Sequence, residues 1–178
     1  MSTSAETTES TGSQAPASAV EKRLAELGII LPEVAAPVAA YVPALVSGNH
    51  VYTSGQLPFI NGKLEATGKV STGDEGSSDE PTISPEDAKA YAAVCAVNAL
   101  AAVKSVIGDL DRVTRIVKVV GFVSSDPSFT GQPGVINGAS ELLGRVFGDA
   151  GQHARSAVGV SVLPLDSPVE VELIAEFS

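Results

Sequence analysis

The chain has 178 residues, 44% of them apolar, which suits one domain with a proper core plus a tail. No run of 18 apolar residues marks a membrane span. Its formal net charge is −10, and its 11 Lys and Arg are scattered, which counts against the basic stripe that nucleic-acid binding needs.

Residues 1–17 contain no aromatic and no basic residue, the composition of a disordered polar tail rather than a signal peptide. Residues 18–28 predict a short amphipathic helix. Ser18 caps it with Glu21 three positions on, Val20, Leu24 and Leu27 share a face, and Gly28 stops it. Such a helix either docks on its own domain or offers a peptide to a partner. Residues 29–178 form the domain proper. Pro32, Pro37 and Pro43 keep its start extended.

Tyr41 to Val46, the turn Ser47-Gly48-Asn49 and His50 to Ser54 predict a hairpin, with His50 solvated beside the turn. Leu57 to Val70 offers a further strand around Asn61-Gly62, and residues 73–81 form an acidic loop. Ser84-Pro85-Glu86-Asp87 opens the main helix, with a capping Ser, Pro at the first turn and acids at the positive dipole end. Ala88, Tyr91, Ala92, Cys95, Ala99, Ala102, Val103 and Val106 recur at helical spacing, and Gly108 closes the helix. Cys95 is the only cysteine, so no intrachain disulfide forms, and a reducing cytoplasm is the simplest home. Val113 to Val123 reads as a mostly buried strand, and a second helix as residues 137–147.

The last stretch reads as two strands, Arg155 to Leu163 and Val169 to Phe177, joined by a Pro-rich turn. Val169, Val171, Leu173, Ala175 and Phe177 share one face, with Glu170, Glu172, Ile174 and Glu176 on the other. In the first strand Val158, Val160 and Val162 share a face, while Arg155 stands beside Ala157, Gly159 and Ser161. A guanidinium above small residues leaves room for a ligand and suits a carboxylate. An Arg at a strand start is also commonly a solvated end residue, and three Glu on one face a wet face. If these two strands pair antiparallel, Glu170 lies level with about Val162, roughly 23 Å from Arg155 at about 3.3 Å per residue. Sharing one site would then require two chains. The element order indicates an α+β domain, one layer of helices on one sheet, with the open sheet face covered by self-association.

Ala154-Arg155-Ser156-Ala157-Val158, Leu163-Pro164 and Val169-Glu170-Val171-Glu172 resemble the signature of the Rid (reactive intermediate deaminase, RidA-like) family, whose members often carry the name endoribonuclease L-PSP. Gly48-Asn49 with Val51-Tyr52-Thr53-Ser54-Gly55-Gln56-Leu57-Pro58 is a second match, and Asn137, expected just before a helix, a third. The resemblance covers the chain from about residue 30 to its end. It implies a chorismate-mutase-like α+β fold, a mixed sheet with two helices on one face, and a homotrimer with sites between subunits. It implies hydrolytic deamination of enamines and imines such as 2-aminoacrylate to 2-keto acids and ammonia, as by a 2-iminobutanoate/2-iminopropanoate deaminase. No metal or organic cofactor is implied, and the partners are small carboxylate-bearing imines, not nucleic acid or membrane. Arg155 would bind the carboxylate and Glu170 position the water or carry its proton. Tyr41 and Ser54 would line the pocket, Gly55 offer backbone contact, and Asn137 support the Arg loop. A Glu at an apolar strand end should have its pKa pushed up by desolvation. Ala157 replaces a Cys common in the family. A non-catalytic carboxylate-binding homologue and an endoribonuclease are the competing readings; a Ser-His-acid triad is disfavoured because His50 and His153 both flank turns.

Overall fold

The computed structural model describes residues 18–34, 40–73 and 82–178. The expected tail (1–17), Pro37 and nearly all of the acidic loop (74–81) lie outside the described residues. The elements are α1 (Ala19–Glu26), β1 (Ala44–Ser47), β2 (His50–Thr53), β3 (Phe59–Ile60), β4 (Lys63–Leu64), α2 (Pro85–Ile107), β5 (Val113–Ser124), α3 (Gln132–Phe147), β6 (Ala154–Val160) and β7 (Val169–Phe177).

The five-stranded sheet runs in the order β1-β2-β7-β5-β6. Only the β5–β6 pair is parallel. This corrects the expectation that the last two strands neighbour each other: β5 lies between them. The reason is chemical. The Val- and Ile-rich β5 has no consistently polar face, so it takes the centre, paired along both edges. The parallel β5–β6 pairing then needs a crossover, which α3 supplies. β3 and β4 form a separate two-stranded hairpin around Asn61 (φ 51°) and Gly62 (φ 77°), the left-handed pair that a type I′ turn requires.

α2 and α3 cover one face of the sheet. Ser84 accepts from Asp87 N, and Gly108 closes α2 at φ 84°. Ten α2 residues are buried, including Ala88, Ala92, Cys95, Ala99, Ala102 and Val103. Of the residues expected inward, Tyr91 is only half-buried and Val106 is exposed. α2 is long and apolar enough to cross a membrane by composition alone, but half of its most apolar window is buried inside this domain. A Cβ on Gly138 would lie 1.9 Å from the Lys89 carbonyl oxygen. Only glycine lets α2 and α3 approach this closely.

α3 starts at Gln132, not near Asn137. Pro133 sits in its first turn, where a missing N–H costs nothing, so the Gly-Gln-Pro-Gly stretch begins a helix rather than a loop. β6 ends at Val160 and a 3₁₀ turn, Pro164–Asp166, follows. The open sheet face carries the other half of the alternation. Leu45, Tyr52 and Val158 are exposed on it, as is Val162 beyond β6, so the Val158–Val162 face is not a core face in the protomer.

α1 is docked on its own domain. Leu24 is buried, and Asp111 accepts from Ser18 Oγ at 2.6 Å, Ala19 N at 2.7 Å and Val20 N at 2.8 Å. Lys104 pairs with Glu21.

Candidate functional site

Arg155 stands on β6, the sheet edge, level with Val119 on β5 and thus on the helix-covered face. Asn137 and Ser140 lie three residues apart on α3 and so share a helix face. Arg155 Nη1 donates to Asn137 Oδ1 at 2.8 Å and to Ser140 Oγ at 3.1 Å. Both hydrogens of Nη1 are thereby used. The remaining N–H groups, on Nε and Nη2, have no partner among the described residues. They form the side-on edge of the fork, two parallel donors matched to a carboxylate. Asn137 thus holds Arg155 from the second turn of α3.

Ser140 continues the chain. Its Oγ lies 3.0 Å from His153 Nε2, and His153 Nδ1 lies 2.6 Å from the Gly151 carbonyl. Sequence reasoning missed Ser140 and set His153 aside as a loop residue. The signals available were Ser140 one helical turn beyond Asn137 and His153 two residues before Arg155. No carboxylate backs His153, whose Nδ1 is on a carbonyl, so no Ser-His-acid triad forms here.

The second group of residues lies across the sheet. Ser54 Oγ donates to Val42 O at 2.7 Å, and Ser54 N to Pro43 O at 2.9 Å. This ties Ser54 beside the exposed Tyr41 at the open end of the β1–β2 hairpin. Gly55 lies against Glu170: a Cβ there would fall 1.7 Å from Glu170 Oε1. Gln56 exchanges backbone hydrogen bonds with Val171, which holds this crossing in register. Burial, with Glu172 on the same face, raises the Glu170 carboxyl above its ordinary value, as expected from desolvation. Burial pushes the Cys95 thiol well up, which fits core packing rather than reactivity.

The two groups do not meet within a protomer. Glu170 pairs with Phe122, and Phe122 with Val158, so Glu170 is level with Val158, not Val162. Three residues along and two strands across give about 14 Å between Cα atoms, shorter than the roughly 23 Å expected for paired strands. The odd offset matters more, because it puts Arg155 on the helix-covered face and Glu170 on the open face. Arg155, Asn137, Ser140 and His153 occupy the β6 edge. Tyr41 and Ser54 occupy the β1–β2 side, with Gly55 and Glu170 next to it.

The family model described as YjgF/chorismate-mutase-like, putative endoribonuclease matches residues 21–177. The chain belongs to this family. Within it, the chain is 42% identical over 160 residues to Protein TCP17 of Trypanosoma cruzi, covering 89% of this chain and 94% of that one. Among solved structures it resembles Atu1372 from Agrobacterium tumefaciens, a protein of unknown function. That match has a TM-score of 0.78 and 44% identity, over 89% of this chain and 93% of that one. A Shewanella oneidensis protein described as a putative endoribonuclease gives a TM-score of 0.79 and 34% identity, over 89% and 99%. The Rid resemblance and the α+β, mixed-sheet architecture thus hold for this YjgF-family member. Among the described residues it has three α-helices, the short α1 and the two expected on the sheet, α2 and α3.

Proposed function

We propose that this YjgF-family protein hydrolyses short 2-imino and enamine acids to 2-keto acids and ammonia, without metal or organic cofactor. The observation that carries the reading is the held guanidinium of Arg155, whose Nε–Nη2 edge has no partner among the described residues. The half-buried Glu170 beside Gly55 supports it further, since burial raises its carboxyl above the ordinary value and makes it a better proton carrier than a solvated carboxylate. The reaction asks little else. A protonated imine carbon is already electrophilic; water adds to it, the tetrahedral intermediate loses its nitrogen as ammonia, and the carbonyl forms. No electrons change hands. The site contributes orientation, a docked carboxylate and one proton carrier.

Because Arg155 and Glu170 stand on opposite faces of the sheet and two strands apart, a complete site takes Arg155 from one subunit and Glu170 from the next. A closed ring such as a homotrimer supplies that pairing at every cleft. Exposed Leu45, Tyr52 and Val158 on the open sheet face favour such self-association. Tyr41 and Ser54 then line the cleft. A cytoplasmic setting suits the lone buried Cys95. A carboxylate-binding protein without turnover is favoured by one observation, the distance of Glu170 from Arg155 within a protomer. The acidic charge disfavours an endoribonuclease.

The test generates 2-iminopropanoate or a longer imino acid in place with an amino-acid oxidase and follows keto-acid release. The wild type should accelerate release. Arg155→Ala should lose about two decades of kcat/KM, the worth of a charged bidentate contact, while keeping its fold. Arg155→Lys should also be poor, since a point charge does not reproduce the fork. Near wild-type activity in Arg155→Ala would remove the anchor from the assignment.

A further inference from the structure

Arg155, Ser140, His153 and Gly151 form a one-way chain of hydrogen bonds. The direction follows from its two ends. The Gly151 carbonyl only accepts, so His153 Nδ1 carries the hydrogen in that 2.6 Å contact. In the neutral ring Nε2 is then an acceptor, and the Ser140 hydroxyl, 3.0 Å away, donates to it. With its hydrogen committed to His153, Ser140 Oγ turns lone pairs toward Arg155 Nη1 at 3.1 Å. A hydroxyl rotor that was free could instead aim its hydrogen at the guanidinium, which donates only. The far end is rigid. Gly151 is buried, and a Cβ on it would lie 2.4 Å from the Leu143 carbonyl, so its position is fixed by the end of α3.

We propose that His153, acting through Ser140, is a positioning residue that locks Arg155 so that its Nε–Nη2 edge, and not its Nη1–Nη2 end, receives the substrate carboxylate. The inference rests on the reading of Arg155 as a carboxylate anchor and adds the device that aims it. Asn137 alone holds one Nη1 hydrogen and leaves the guanidinium able to pivot. The second bond, from Nη1 to Ser140, fixes the plane. His153 need not touch substrate for this, and its effect belongs to binding rather than to the chemical step.

Three variants of the full-length protein test it: Ser140→Ala, His153→Leu and His153→Gln. Alanine is well tolerated inside a helix, so Ser140→Ala keeps the question open even if His153→Leu folds poorly. The first readout is the rate at which the Arg155 Nη1 and Nη2 resonances exchange by rotation about the guanidinium bond. It should rise about tenfold in Ser140→Ala and His153→Leu, as expected for one lost charge-assisted hydrogen bond. The second is the kinetic split with 2-iminobutanoate, with KM up about tenfold and kcat changed by less than about threefold. Gln at 153 can offer its Oε1 to the Ser140 hydroxyl and should restore both. Unchanged guanidinium rotation in Ser140→Ala, or Gln and Leu equally impaired, would overturn the proposal. The rotation needs no turnover. If the wild type hydrolyses no imine, the proposed reaction fails, while the rotation rates still decide the role of His153.

Discussion

Glu170 combines two demands that pull against each other. Its carboxylate is half-buried against Gly55 and next to Glu172, so its charged form is disfavoured. A carboxyl whose folded pKa lies above its unfolded value binds its proton more tightly in the folded state, so folding takes up a proton in that range and stability is greatest below the unfolded pKa. That stability is lost as pH rises from about 4.5 through the raised value. Glu170→Gln removes the charge at nearly constant shape. It should raise Tm near pH 7–8, with the gain shrinking below about pH 4.5, and it should abolish imine hydrolysis. A thermal series across pH checks the first part; a Tm lower than wild type at pH 8 would refute the desolvation account. At this scale the sequence was informative for single residues and blind to their company. Arg155 and Glu170 stand out by type and alternation. The Ser140–His153 link does not, because a neutral hydroxyl and a loop imidazole carry no periodic signal, and only the α3–β6 crossover brings them to 3.0 Å.

The elements follow local chemistry where caps are strong, and depart from it where a neighbour decides. Ser84, Pro85 and Gly108 bound α2 as the sequence indicates. α3 begins at Gln132 rather than near residue 137, because the Gly- and Pro-bearing stretch before it fits the first turn of a helix, where Pro133 loses no hydrogen bond. Strand order was beyond local reading, since adjacency of β7 to β2 and β5 depends on which apolar faces match across the sheet. The α1 helix is a testable case. Leu24 at 3% exposure contributes about 2 kcal/mol of burial, and Asp111 ties the helix start. Deleting residues 1–28 should lower Tm by about 5 °C or more, whereas deleting 1–17 should leave it unchanged. Differential scanning calorimetry of the two truncations separates a docked helix from a peptide awaiting a partner. The hydrogen bonds from Ser18, Val20 and Ala19 hold the Asp111 carboxyl below its ordinary value of 3.8. Their stabilisation is present above that pH and is lost as pH falls through the lowered value, so the difference between the truncations should narrow only in strong acid.

For the whole molecule, the proposed cleft between subunits predicts complementation. Arg155→Ala and Glu170→Ala proteins, each inactive alone, are unfolded together in equal amounts and refolded. If each cleft takes its Arg from one chain and its Glu from the next, random assembly restores about a quarter of the clefts. Keto-acid release near that fraction of wild type supports the shared site. No recovery in oligomers verified as mixed would show that both residues serve one chain, or that Glu170 takes no part.

The last strand in the chain is third of five in the sheet. β7 pairs with β2 through His50 and Glu176, and with β5 through Val113 and Phe177. Until it arrives, the β1–β2 hairpin and the β5–β6 pair are two separate pieces, each with an open edge. During synthesis those edges stay open until β7 emerges from the ribosome, and only then can one insertion join them. The time spent in that unfinished state is set by the stretch between β2 and β7 that must be made first, so the exposure of these edges to aggregation is greatest at birth rather than after folding.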